Sequence, residues 1–106
     1  MWDVPKNPGK KIKDTRAYLG EPYTITIIDL EYVIYRDLGN GYDFEVSGLN
    51  NSRKSFSAKI YVWQLEPRRI VEIVEITNTP LHLKDALGAL AMKYLQWQGY
   101  TVTREE

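Results

Sequence analysis

The hydrophobic pattern along the chain changes period twice, and the changes divide it into an arm, a run of strands and a helix. From Tyr23 the period is two: Ile25 and Ile27 alternate with threonines, and Leu30, Tyr32 and Ile34 continue with the phase shifted by one. The shift at Ile27-Ile28-Asp29 predicts a β-bulge or bend in a long first strand, or its division in two. Gly39-Asn40-Gly41 then supplies residues tolerant of positive φ and marks a hairpin. Beyond it, Tyr42, Phe44 and Val46 alternate with Asp43, Glu45 and Ser47, which puts the first set inward. A three-residue loop pairs Leu38 with Tyr42 and Ile34 with Val46, whereas a two-residue Asn40-Gly41 turn sets Leu38 against Asp43. The first is favoured, because a slip of one residue moves every side chain to the other face. It leaves Arg36 awkwardly on the inward face.

Residues 48–52 form a polar turn, and two further strands, at about 55–65 and 69–76, flank a turn at Glu66-Pro67-Arg68. Both are rich in β-branched and aromatic residues. Lys59 falls opposite either Glu75 or Ile76, and the charge pair favours Glu75. At Thr79-Pro80 the period becomes helical, with a capping hydroxyl before a proline suited to the first helical position. Leu83, Leu87, Leu90, Ala91, Tyr94 and Trp97 recur at spacings of three and four, and Gly99 is the expected terminator. Residues 1–22 hold Pro5, Pro8 and Pro22 with Lys10, Lys11 and Lys13, and read as a basic extended arm in which 14–19 can make one or two helical turns.

The expected fold is α+β: a four-stranded antiparallel β-meander with a C-terminal amphipathic helix packed on one face. It leaves room for a short N-terminal helix and a C-terminal edge strand. The chain reads as one domain over 1–106, with the arm at 1–22, the meander at 23–78, the helix at 79–99 and an edge strand or tail at 100–106. A composition 43% hydrophobic and 26% charged is that of a globular domain able to fold without a metal. The absence of cysteine removes disulfides, thiolate nucleophiles and Cys-based zinc sites. With no apolar run of membrane-spanning length and no signal-like N-terminus, the expected location is cytoplasmic, without a membrane partner.

The zero net charge hides segments of alternating sign: +3 over 1–16, −5 over 17–51, +4 over 52–69 and −2 over 70–106. A neutral total argues against a dedicated duplex-DNA binder, because phosphate neutralisation dominates that affinity. His82 is the only histidine and is expected as a surface residue near the helix cap. His82 and Asp85 alone are too few to build a metal site. Asp29 and Glu31 can form a like-charge pair on one strand face, and Glu72 and Glu75 fall on opposite faces of a regular strand. No nucleophile-elbow, P-loop or dinucleotide motif is present, so neither catalysis nor a cofactor is expected.

The aromatic content is more informative, at eight tyrosines and three tryptophans. Tyr42, Phe44, Phe56 and Tyr94 belong to inward faces. If Phe56, Ala58, Ile60 and Val62 face the helix, then Ser57, Lys59, Tyr61, Trp63 and Leu65 face the other way, with Arg53, Lys54, Arg68 and Arg69 flanking the ends. Either the arm, with Trp2, Val4 and Tyr18, covers this second face, or its aromatics form a docking platform. The four-strands-then-helix order resembles that of the PUR repeat, a single-strand nucleic-acid binder, and Leu83-Lys84-Asp85-Ala86-Leu87-Gly88-Ala89-Leu90 is loosely similar to its helix. The family's basic strand motif has no counterpart, and a fold does not fix function. The leading expectation is a non-enzymatic interaction module that binds a protein partner or itself, with homodimerisation included. Lys59, Tyr61, Trp63, Arg53, Lys54, Arg68 and Arg69 form its candidate surface. Single-stranded nucleic-acid binding by the same surface is the alternative.

Overall fold

A computed structural model describes residues 7–97 of the chain, with the side chains of Gln96 and Trp97 left aside. Helix α1 (Lys10–Leu19) leads into strands β1 (Thr24–Ile28), β2 (Glu31–Asp37), β3 (Tyr42–Ser47), β4 (Ala58–Leu65) and β5 (Arg68–Ile76), and helix α2 (Pro80–Trp97) follows. The strands form one antiparallel sheet in the order β1-β2-β3-β4-β5, so among the described residues the sheet has five strands rather than the expected four.

The extra strand arises at the phase shift. Ile28 pairs with Glu31, and Asp29 and Leu30 make a two-residue turn with φ of 53° and 66°. Two positive φ values in a two-residue loop suit the right-handed twist of a hairpin, although asparagine or glycine normally fills those positions. Of the outcomes the phase shift allowed, division of the strand is the one realised. The next hairpin has the predicted register: Ile34 faces Val46, Arg36 faces Phe44, and the Leu38 amide donates to the Tyr42 carbonyl at 3.1 Å. Arg36 is accommodated by Tyr23, with its guanidinium 5.4 Å from the ring centroid and a 3.4 Å hydrogen bond to the hydroxyl. Lys59 pairs with Glu75 as expected, at 3.5 Å between charged atoms. The β4–β5 loop is tighter than expected, because Leu65 pairs with Arg68 and only Glu66 and Pro67 turn the chain. A register shift at Val62/Trp63 adds a bulge, which increases local twist.

Phe44, Ile34, Val46, Ile60 and Val62 meet Leu83, Leu87, Leu90, Ala91 and Tyr94 of α2 in one apolar core. Each of the valine, leucine, isoleucine and phenylalanine side chains contributes roughly 1.5–3 kcal/mol by leaving water. Thr79 caps α2 by accepting the His82 amide at 3.3 Å, and Leu83, Leu87, Leu90, Ala91 and Tyr94 of the predicted stripe are buried, while the Trp97 side chain lies outside the described ones. The position expected to end α2, Gly99, and the expected edge strand at 100–103 lie outside the described residues.

The N-terminal segment is more ordered than an arm. Ile12, Thr15 and Leu19 are buried on one stripe of α1, and Ile12 and Leu19 join the same core. The helix therefore starts four residues before the expected 14–19 turns, because Ile12 supplies an apolar anchor within the lysine cluster. Lys11 Nζ holds Asn51 Oδ1 at 2.8 Å and the Ser55 carbonyl at 2.9 Å, and the Gly9 amide donates to Asn50 Oδ1 at 3.0 Å. Gly20, at φ 77°, ends the helix where expected.

Candidate functional site

Both helices lie on one side of the sheet, which leaves its second face to be judged by what β1 to β5 place there. Register puts Lys59 beside Ser47, Tyr61 beside Glu45 and Trp63 beside Asp43, with Glu75, Ile73 and Ile70 on the other flank. The face is therefore aromatic along β4, acidic along β3 and apolar along β5. The acidic component was hidden in the sequence because Asp43 and Glu45 looked like solvated residues of a half-buried strand.

They are not solvated. Asp43 is 2% exposed and Glu45 is 9% exposed. Val33 is 0% exposed although it lies outside the helix-side core. A flat five-stranded sheet separates its edges by about 19 Å. Here, however, Ile28 and Asp29 from one edge hairpin and Ile70 from the other edge line a single cleft of about 350 Å3. The sheet curls over its second face, and the curl buries the central acids. Glu31, Glu45, Ser47, Tyr61 and Trp63 complete the lining.

Two hydrogen bonds order the acids. Trp63 Nε1 donates to Glu45 Oε1 at 2.9 Å, and the Tyr35 hydroxyl donates to Asp43 Oδ2 at 2.7 Å. Asp43 Oδ1 is buried without a hydrogen-bond partner. Burial raises the Asp43 carboxyl above its ordinary range, against the lowering effects of the Tyr35 hydrogen bond and the Arg68 charge. Burial and the adjacent Asp43 likewise raise the Tyr35 hydroxyl. Neither residue lines the cleft, so this pair lies apart from it.

The predicted surface residues separate. Tyr61 and Trp63 line the cleft, and Lys59 lines an adjoining hollow with Glu31, Tyr61 and Glu75. The Arg68 guanidinium lies 4.2 Å from the Trp63 ring centroid. Arg69 pairs with Gln64, and alternation puts both on the helix-bearing side with Tyr42. Arg53 lines a hollow of about 690 Å3 formed with Lys10, Lys11 and Phe56 near the start of α1, and Lys54 is exposed in the 48–57 loop. Tyr18 is on α1 under Lys84 of α2, on the helix side, while Trp2 and Val4 lie outside the described residues. His82 is exposed, with Nδ1 2.8 Å from Thr79 Oγ1. Among the described residues no group of three or more His, Asp or Glu could hold a metal ion, and no helix is long and apolar enough to cross a membrane. Alternation placed Glu45 on the outward face and Glu31 beside Asp29, but neither was assigned to the candidate surface, nor were Ile28 and Ile70. Only the curl brings Ile28 and Ile70 to the acids.

Comparison of the chain with known proteins finds no matching family model, no matching curated sequence and no matching solved structure.

Proposed function

We propose that this protein is a small non-enzymatic interaction module that docks a protein partner, or a second copy of itself, through the second sheet face and its β5 edge. The observation that carries this reading is a continuous strip beside the cleft. Ile70 and Ile73 are exposed large apolar residues of an edge strand, and register seats them against Trp63 and Tyr61. Exposed apolar side chains beside aromatics are the composition of an interface core, and β5 is an edge strand among the described residues, a position that can pair with another chain. Single-stranded nucleic acid would meet the same aromatics, but Asp29, Glu31 and Glu45 repel phosphate at the cleft. The geometry therefore favours protein.

The test uses Ile73→Asp, an exposed position whose substitution spares the core. Tagged wild-type and variant chains are compared for proteins retained from the source cell, and for self-association by sedimentation velocity. A partner or dimer present with the wild type and lost with the variant supports the reading. Identical retention and sedimentation would overturn it.

A further inference from the structure

We infer that the cleft on the second face is a socket for an arginine side chain presented by the protein partner. This rests on the protein-docking reading above and gives that partner its chemistry. The lining carries Asp29, Glu31 and Glu45 and no basic residue, so its charge complements a cation. Its walls are equally specific: Tyr61 and Trp63 offer aromatic surfaces, and Ile28 and Ile70 offer aliphatic ones. A guanidinium is the cation suited to both, because it stacks on rings while its edge donates hydrogen bonds.

Further observations point the same way. Glu45 is nine-tenths buried and lines the cleft, and its Oε1 accepts a hydrogen bond from the Trp63 indole. That bond fixes the carboxylate, whose two oxygens together can accept a charge-assisted bond from a guanidinium. Trp63 already has a guanidinium, that of Arg68, 4.2 Å from its ring centroid, a geometry in which ring and cation attract. Among the described residues the acids of the lining do not form a group that could hold a metal ion. At the rim beside Asp29, Leu30 is 63% exposed with a φ of 66°. A leucine held in that strained conformation in water offers an apolar rest for the neck of an incoming segment.

The test titrates the full chain, labelled with nitrogen-15, with three short peptides that alternate glycine with arginine, lysine or citrulline. Citrulline keeps the shape of arginine and removes its charge. The expected result is that the arginine peptide shifts the Trp63 indole resonance and neighbouring amides. The lysine peptide should bind several-fold more weakly, and the citrulline peptide should not bind. Glu45→Gln should weaken the arginine peptide about tenfold. Because that variant also touches Trp63, the exposed Glu31→Gln serves as a second probe and should weaken it several-fold. Equal binding of the citrulline peptide, no arginine binding at low salt, or unchanged affinity in both variants would overturn the inference. If Ile73→Asp abolishes partner capture while both glutamate variants leave capture intact, the docking face stands and the arginine socket falls.

Discussion

Glu72 on one face of the sheet and Asp43 on the other are treated in opposite ways. On the helix-bearing face Glu72 Oε1 accepts the Tyr94 hydroxyl at 2.7 Å and Lys93 Nζ at 2.9 Å. Those hydrogen bonds, Tyr94 first, lower its carboxyl below the ordinary value, while the Tyr94 hydroxyl is raised by burial and by Glu72. On the second face Asp43 is more deeply buried, keeps one oxygen without a partner and is raised. The helix face has been completed as a core, polar groups included. The second face has been buried by curling alone, and it retains unmet polar capacity together with exposed isoleucines. That difference separates a face whose carboxylate is satisfied by folding from one whose carboxylate is not.

The largest expected effect tests the finished face. Leu83→Ala removes a fully buried contact between α2 and the sheet and should lower unfolding free energy by about 3 kcal/mol in a denaturant titration. Val33→Ala asks whether the curl on the other face is equally rigid. A loss of about 2 kcal/mol is expected if Val33 is packed as its zero exposure implies, and a negligible loss would show that the curl opens in solution.

Asp43→Asn should stabilise the protein at neutral pH by about 1 kcal/mol, since it removes the cost of burying an ionised carboxylate while the amide oxygen can still accept the Tyr35 hydroxyl. The sign follows from linkage. With its folded value raised, Asp43 contributes most below the ordinary carboxylate range, and that contribution is lost as pH rises through the folded value. Glu72 runs the other way: its contribution is present above the ordinary range and is lost as pH falls through the lowered value. Stability measured against pH in Asp43→Asn and Glu72→Gln should therefore change with opposite slopes, and equal slopes would remove the contrast between the faces. The smallest effect belongs to the rim: Leu30→Gly should stabilise by about 0.5–1 kcal/mol by releasing a positive-φ leucine. If Leu30 serves docking, the same change weakens partner capture.

Much of the fold was legible because local rules and packing agreed. The α2 stripe, its Thr79 cap, the Ile34–Val46 register and the Lys59–Glu75 pairing each follow from spacing plus the demand that apolar meet apolar or charge meet charge. The β1–β2 turn was legible only as a change of phase, since Asp29-Leu30 lacks the asparagine or glycine that signals such turns. The lysines around Ile12 disguised α1 in the same way, because a single apolar residue sets a helix stripe only when something receives it. For the candidate site, β4 alternation located Tyr61 and Trp63, but the flanking basic residues read as one patch are dispersed. Arg53 points to the α1 hollow, Arg69 falls on the other side by register, and Arg68 stacks on Trp63.

What the sequence by itself determined is what periodicity encodes: which residues share a strand face or helix stripe, where the chain must turn, and that the second face of β4 carries two large aromatics. Side-chain alternation and the burial of apolar surface suffice for that, because both are local. Only the tertiary structure decided the character of the face. Cross-strand pairing set Asp43 and Glu45 beside the aromatics, and the curl of the sheet brought the two edges to one cleft and withdrew those acids from water. Charge and solvation depend on neighbours distant in sequence, and a stripe that reads as aromatic and basic along one strand becomes aromatic and acidic once its neighbour lies 4.8 Å away, at about the usual strand spacing.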